Sequence, residues 1–354
     1  MKIGTSNNTP DKAFSVNTDA IQKCDIILTK YSLLHNGTLR DYYSLLQSST
    51  IKLATNGNYS HAILCLSKQS IIEADRDGVH TNNLMRLSWN DPSDFNIFRL
   101  NRPLTEDEIL KISDFARSRH GVIYSVRGAV ASALKITEDN HAEFCSRLVA
   151  RAFAYAGINL VENPDNATPA DLEHSQLLIQ CNYKKVIYMG QALSELIEVN
   201  RDSPLDLQKD IVTNLYKGIR SKIASNVMNE EDIMHYLWDL PEDEFIESDQ
   251  KITEITDASY YPYMFSSDYS RNPESYDSKL CLEKNFNQTE MYFYDQISGA
   301  SDQLRVHSMM FEIYKNSYRK GYFRILMLTL YSNLIKQDTR RRNTYIETHQ
   351  KIYG

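Results

Sequence analysis

The stretch HAEFCSRLVARAFAYAGI (141–158) predicts an amphipathic helix with a cysteine in its first turn. Its predicted buried face consists of Phe144, Leu148, Ala152 and Tyr155. Gly157 is a typical stop signal. If the helix begins between residues 142 and 144, free backbone amides and the helix dipole favour a thiolate at Cys145. Cys145 is therefore either a nucleophile or a small buried side chain.

Four short apolar runs upstream of this helix predict the strands of a largely antiparallel sheet. They are CDIILTKY (24–31), YSHAILCL (59–66), SIIEAD (70–75) and FNIFRL (95–100). Turn sequences such as NGN (56–58) and DRDG (75–78) separate them. Thr105 and Glu108 form a capping-box pattern that predicts a further helix over 105–119.

A histidine and a glutamate interrupt two neighbouring strands of this predicted sheet. A turn near residues 67–69 would pair the strands and place His61 and Glu73 on the same face, because 73 − 61 = 12 is even. His61 is either a structural residue with a polar partner or a general base. Glu73 either orients that base or is an exposed strand carboxylate. Weaker candidates for its place are Asp75, Asp77 and His80.

Changes in composition along the chain predict three regions. Residues 1–21 are polar and turn-rich, which favours an arm outside the core. Residues 22–198 predict an α+β domain, and residues 199–354 a mostly helical region of unknown role. Within that region the Tyr-rich stretch 258–278 predicts an irregular loop.

The composition argues against several classes of function. The formal charge of 39 − 46 = −7 gives no electrostatic reason to expect a nucleic-acid partner. The 5 cysteines show no CxxC pair, and HExxH, P-loop and GxGxxG motifs do not occur, so we predict no metal and no cofactor. The sequence shows neither a secretory signal nor a run long enough to span a membrane. We therefore expect a protein that is cytoplasmic as synthesised. If it reaches another compartment, a dedicated system must export it.

The order of the motifs resembles the circularly permuted papain-like superfamily, and within it the YiiX/YebB-like branch. The matching segments are DIIL (25–28), SSTIKLATNGNYSHAILCL (48–66), IIEADRDGV (71–79), FARSRHGVIY (115–124), FCSRLVARAFAYAGINL (144–160) and TPADL (168–172). In that superfamily the strand that bears the histidine precedes the helix that bears the cysteine, as His61 precedes Cys145 here. The resemblance covers roughly residues 22–180.

The resemblance implies a permuted papain-like fold with Cys145 as nucleophile, His61 as general base and Glu73 as the third residue. The related lecithin:retinol acyltransferase branch typically has a second histidine in that third place, so Glu73 favours the YiiX-like branch. Cys24 stands where a glycine is common, and Arg147 stands where an acidic residue is frequent.

Three further residues are candidates for contact with a substrate. Arg147 lies one turn from the nucleophile, where it would bind an anionic group of the substrate or pair with Glu143. Tyr59, on the same strand face as His61, and Tyr124 are candidates for lining the pocket.

The function that follows is thiol acyl transfer through a thioester, by a hydrolase or acyltransferase acting on an amide or ester. A cell-wall peptide and an acyl lipid are both candidate substrates, so that an amidase and a phospholipase both stay open. An exported effector toxin would also need an immunity or delivery protein. The alternative is a catalytically silent scaffold whose C-terminal helices hold a partner, with residues 340–342 against an anionic surface. Selective reactivity of Cys145 would separate the two.

Overall fold

A computed structural model describes residues 12–30, 57–75, 77–124, 142–199 and 204–354 of the chain. The chain divides into two compact units, Met1–Leu205 and Asp206–Gly354. Several sequence predictions lie partly outside the described residues. They concern residues 1–11 of the arm, residue 31, residues 48–56, residue 76 and residue 141.

The first unit combines strands with a few helices. The strands are β1 (Lys12–Ser15), β2 (Ile26–Thr29), β3 (His61–Cys65), β4 (Ser70–Asp75), β5 (Gly78–Asn83), β6 (Phe95–Leu100), β7 (Leu178–Gln180) and β8 (Val186–Met189). The helices are α1 (Glu106–Ser118), α2 (Cys145–Tyr155), α3 (Pro169–Glu173) and α4 (Gly190–Val199). This is an α+β fold with an antiparallel sheet, as the sequence predicts.

Among the described strands, six form one antiparallel sheet in the order β5-β4-β3-β2-β6-β7. The hairpin of β3 and β4 places Ile63 opposite Glu73. The next hairpin turns between Asp75 and Gly78, and Gly78 adopts a left-handed φ of 98°. That register puts His80 opposite Glu73, so the strand β5, which we did not predict, lies beside the candidate glutamate.

One face of this sheet is covered by the residues that precede it. Phe14, Val16 and Ile21 are buried in a cluster with side chains of the central strands. Trp89 stacks on Phe95 in the same cluster, with ring centroids 4.0 Å apart. The apolar contacts of Phe14, Val16 and Ile21 in this cluster hold the chain that leads into β2 against the sheet.

The prediction of an arm outside the core is wrong for residues 12–21. β1 pairs with β8 in a separate antiparallel ladder, and Ala13 and Phe14 are buried. The mainly apolar segment at 13–16 is short, and its pairing partner lies about 170 positions away in the sequence. Local composition therefore does not predict the strand β1.

The remaining helices are α5 (Pro204–Lys222), α6 (Glu230–Asp239), α7 (Glu242–Ala258), α8 (Ser266–Arg271), α9 (Ser278–Asn285), α10 (Glu290–Asn316) and α11 (Tyr322–Tyr353). Side chains of α5, α6, α7, α10 and α11 share one apolar core. The stretch 258–278 is not an irregular loop, because it contains α8 and the 3-10 turns Tyr261–Tyr263 and Pro273–Ser275. Among the described residues, no helix combines the length and apolarity needed to cross a bilayer.

The core of the second unit contains a carboxylate surrounded by phenols. Glu230 accepts hydrogen bonds from the hydroxyls of Tyr261 at 3.1 Å and Tyr331 at 2.8 Å. Burial raises the pKa of Glu230, and these phenols act against that rise by stabilising the charged form. Nearby, His307 Nδ1 lies 2.6 Å from Asp338 Oδ2. These contacts satisfy polar groups that would otherwise destabilise an apolar core.

A carboxylate from α7 caps the last helix of the unit. Asp249 is 2% exposed and accepts hydrogen bonds from the backbone amides of Tyr322 and Phe323, the second at 3.2 Å. Gly321 precedes these amides, and a Cβ atom there would overlap the carboxylate of Asp249. The cap therefore requires both the aspartate and the glycine.

We expect Gly321→Ala to destabilise the protein by about 1–3 kcal/mol, because the added methyl group displaces the capping carboxylate. Gly299→Ala is the matched control, since a Cβ there meets nothing within 4 Å in the interior of α10. This control should stabilise the helix by about 0.5–1 kcal/mol. Urea unfolding of the full chain, followed by far-UV circular dichroism, measures both changes. Equal stability of the two variants would contradict the cap.

Candidate active site

The hairpin of β3 and β4 brings His61 and Glu73 into contact. His61 Nε2 lies 2.8 Å from Glu73 Oε2, and the two residues are 5% and 8% exposed. Glu73 lies opposite Ile63, so the contact to His61 is the diagonal one on the same face of the sheet. Because both side chains are buried, this contact gives each of them a polar partner that water does not supply.

The helix α2 begins at Cys145, directly after Phe144 in extended conformation. The Cys145 thiol is 2% exposed and forms a hydrogen bond with His61. The backbone amides of Ala62 and Ser146 also donate towards its sulfur. Phe144, as N-cap, has no side-chain oxygen to occupy the first amides of the helix. The sulfur therefore lies among donors that stabilise negative charge.

The charges of these groups support one another. Burial raises the pKa of Cys145, but the positive charge of His61 and the hydrogen bonds from His61, Ala62 and Ser146 together lower it below the usual value of 9.0. For His61, burial lowers the pKa, and Cys145 and Glu73 together raise it above the usual value of 6.5. Each group of the pair therefore favours the charged form of the other, the thiolate and the imidazolium.

Glu73 remains ionised in this buried place. Burial raises the pKa of its carboxyl group, but hydrogen bonding to His61 and the charges of His61 and His80 lower it below the usual value of 4.5. His80 Nε2 lies 3.8 Å from Glu73 Oε1, and Asn82 Nδ2 donates to the same oxygen at 3.3 Å. The sequence analysis predicts His80 only as a weaker candidate for the role of Glu73, and it does not predict Asn82. The Asp-Gly turn at 77–78 is the signal that could have found both, because it sets the register of β5.

A buried ion cluster holds the chain that leads into α2. The carboxylate of Glu143 is 0% exposed and accepts hydrogen bonds from Arg119 at 3.1 Å and Arg151 at 2.8 Å. Its backbone amide donates to the carbonyl of Ile123 at 3.0 Å. Through these two arginines, Glu143 links the end of α1 to α2 at a point two positions before Cys145.

Arg147 lies against the protein's own main chain. It is 4% exposed and donates to the carbonyl oxygens of Asp165 at 2.7 Å and Ala142 at 2.8 Å. Its guanidinium lies 5.1 Å from the ring centroid of Phe144. These contacts brace the start of α2, and a role in substrate binding stays a prediction.

The two candidate tyrosines lie near the site in different ways. Tyr59 is buried, and its hydroxyl accepts a hydrogen bond from Asn96 Nδ2 at 2.5 Å. Tyr124 is half-buried and packs on Phe144, the N-cap of α2. Their contact with a substrate also stays a prediction. Tyr155, predicted on the buried face of α2, is exposed: it is the last residue of the helix, and its ring lies 5.3 Å from that of Phe115 in a tilted arrangement.

The backbone conformation at Cys24 shows why a glycine is common at this position in the similar family. Its φ is 67°, in the left-handed region where glycine is favoured. Its backbone amide donates to the carbonyl of Cys65 at 2.8 Å. The following residue, Asp25, is 1% exposed and pairs with Arg99 at 2.7 Å. The turn therefore joins β2 to the end of the strand that bears His61.

Residues 21–177 match the model of a family described as permuted papain-like amidase enzyme, YaeF/YiiX, C92 family. Residues 21–177 are therefore similar to the permuted papain-like amidase family. The match includes the Cys145 helix and the β3–β4 hairpin, and it ends before β8 and the second unit. This similarity supports papain-like amidase or peptidase activity for residues 21–177.

Among solved structures, the chain is similar to the crystal structure of metalloprotein yiiX from Escherichia coli O157:H7. The sequence identity is 15%, the similarity covers 46% of this chain and 97% of that chain, and the TM-score is 0.30. No curated protein matches the sequence. Within the part of the chain that the structure describes, no group of three or more His, Cys, Asp or Glu side chains is arranged to hold a metal ion.

We expect the alkylation rate of Cys145 to reach half its maximum below pH 9.0, because its pKa is lowered. The half-maximum for Cys24 should lie well above that value, since burial raises its pKa to about 12. In His61→Ala the midpoint for Cys145 should move upward, because burial then acts without the opposing imidazolium. Peptide mass spectrometry after timed iodoacetamide treatment across the pH range gives each midpoint. An unchanged Cys145 midpoint in His61→Ala would show that the two groups are not coupled.

Proposed function

We propose that the domain formed by residues 21–177 is a thiol amidase in which Cys145 is the nucleophile, His61 the general base and Glu73 the group that orients it. The observation that carries this proposal is the continuous hydrogen-bonded series from Cys145 through His61 to Glu73 at a helix start. The family match supports the choice of an amide as the scissile bond.

In the first half of the reaction the Cys145 sulfur attacks the carbonyl carbon of the amide. The thiol proton has passed to His61, whose positive charge Glu73 stabilises at 2.8 Å. A carbon–sulfur bond forms and the carbonyl electrons move to oxygen, where backbone amides of the first turn of α2 stabilise the oxyanion. The carbon–nitrogen bond then breaks, and the amine leaves with the proton from His61. A thioester on Cys145 remains.

The second half of the reaction restores the thiol. His61 takes a proton from water, and the hydroxide attacks the thioester carbonyl. The carbon–sulfur bond breaks, the product leaves as a carboxylic acid, and the proton returns to the sulfur. Glu73 keeps the imidazole ring oriented in both halves, because its Oε2 accepts from Nε2 throughout.

The substrate that we propose is a peptide amide, with cell-wall stem peptides as the first class to test. The polar network around the site suits a substrate with several amide groups better than one with acyl chains. The groups that contact Cys145 and His61 are backbone amides and the Glu73 carboxylate, and two guanidinium groups hold Glu143 two positions before the cysteine. A lipid acyl donor therefore serves as the contrasting substrate in the assay.

We expect the full chain to release amine from peptidoglycan fragments, and Cys145→Ala to release none. His61→Ala should lower kcat/KM by about 10³-fold or more, because no base is then in reach of the sulfur. Glu73→Gln should lower it less, by about 10²-fold, since an amide still orients the ring but does not stabilise the imidazolium. Liquid chromatography with mass spectrometry of the products measures each rate.

Intact-mass spectrometry of the same incubations identifies the intermediate. An acyl adduct on the wild type that is absent in Cys145→Ala supports the thioester. Release of fatty acid from phospholipid, with no cleavage of peptide amides, would overturn the proposed substrate class but keep the nucleophile. Cleavage that survives Cys145→Ala would overturn the nucleophile itself. Activity should also survive EDTA, because each proposed step uses only thiol, imidazole and backbone groups.

A further inference from the structure

The carboxylate of Glu73 has a second oxygen that does not face His61. Oε2 accepts from His61, and Oε1 faces the strand β5 on the other side. Asn82 Nδ2 donates to Oε1 at 3.3 Å, and His80 Nε2 lies 3.8 Å from the same oxygen. A carboxylate held at one oxygen only can rotate, so the partner at Oε1 determines where Oε2 lies.

The amide of Asn82 is itself held in one orientation. Its Oδ1 accepts a hydrogen bond from the backbone amide of Asn83 at 2.8 Å and faces Arg86 Nη1 at 3.5 Å. Because both of those groups are donors, the oxygen of the amide belongs on their side. The NH₂ group of Asn82 is therefore directed to Glu73.

His80 does not replace this donor when its ring is neutral. Its Nδ1 lies 3.1 Å from the carbonyl oxygen of Gly78, which only accepts, so the single proton of the neutral ring is at Nδ1. Nε2 then carries a lone pair and has no hydrogen to offer Glu73. Asn82 is thus the donor to Oε1 at any pH at which His80 is neutral.

We propose that Asn82 is a positioning residue for Glu73, and that it keeps Oε2 directed at His61. The assignment rests on the proposed function of Cys145, His61 and Glu73. Asn82 acts through the carboxylate, to which its amide donates, and the carboxylate in turn contacts His61. The edge strand β5 thereby becomes part of the catalytic apparatus.

The decisive variant is Asn82→Asp, which places a second carboxylate against Oε1 of Glu73. Two carboxylates in contact cannot both ionise freely, so the pair should hold a proton with an apparent pKa at least about one unit above that of Glu73 in the wild type. The titratable and charged groups that face this pair are His61 on β3, His80 on β5 and Arg86, whose Nη1 lies 3.5 Å from Asn82 Oδ1. Behind His80 lie Asp75, 3.5 Å from His80 Nδ1, and His120, just after the end of α1. These surrounding groups are the same residues in Asn82→Asp and in Asn17→Asp.

The matched control is Asn17→Asp, the same exchange of amide for carboxylate in the same unit. Asn17 caps a short turn by accepting from the amide of Asp19 at 3.1 Å, and an aspartate keeps that acceptor. We expect the acid limb of the kcat profile to move up by about one pH unit or more in Asn82→Asp and to stay in place in Asn17→Asp. KM should change less than about twofold, because Asn82 does not contact the substrate.

A second readout does not depend on turnover. Carbon-13 NMR of the glutamate carboxyl groups in the Cys145→Ala background, with Glu73 assigned by Glu73→Gln, gives its titration directly. A raised Glu73 midpoint in Asn82→Asp but not in Asn17→Asp supports the positioning role, even if the wild type cleaves none of the substrates. Equal midpoints in the two variants overturn it. If Asn82→Asp does not fold, Asn82→Ala replaces it, with a smaller rise expected and an unchanged midpoint again overturning the proposal.

Discussion

The buried hydrogen bond between His61 and Glu73 is the constraint on which the first unit depends. An ionised carboxylate is strongly disfavoured inside a protein unless a charge or several donors compensate it. Here the compensation comes from His61, His80 and Asn82, which lie on the strands on either side of Glu73. The same imidazolium lowers the pKa of Cys145. One charge therefore stabilises both the buried carboxylate and the thiolate, which ties the fold of the hairpin to the reactivity of the sulfur.

Much of this site could be predicted from local sequence rules. The even separation of positions 61 and 73 places them on one strand face, and the structure brings their side chains to 2.8 Å. The apolar spacing after Cys145 indicates a helix, and the observed helix begins at that residue. The capping box of Thr105 and Glu108 is also present as predicted. Each of these features depends on residues within about a dozen positions of one another, where periodicity and turn chemistry decide the structure.

Features that depend on distant parts of the chain could not be predicted in this way. β1 needs β8 to become a strand, and nothing in residues 12–15 indicates that partner. The sequence offers Glu143 as a partner of Arg147, whereas the structure pairs it with Arg119, which follows α1, and with Arg151 on α2. Tyr155 falls on the apolar face by spacing but lies at the helix end, where it contacts Phe115 of α1 and stays exposed. Tertiary packing, rather than local preference, determines all three.

The cap of α11 has a consequence for how the second unit folds. Asp249 supplies acceptors to the amides of Tyr322 and Phe323, although 73 positions separate it from the first of them. The first turn of that long helix is therefore completed only when α7 already lies beside it. Helix formation and tertiary assembly become a single event at this point, so the end of α11 should not fray independently of α7. The two helices should exchange their amide hydrogens as one cooperative unit.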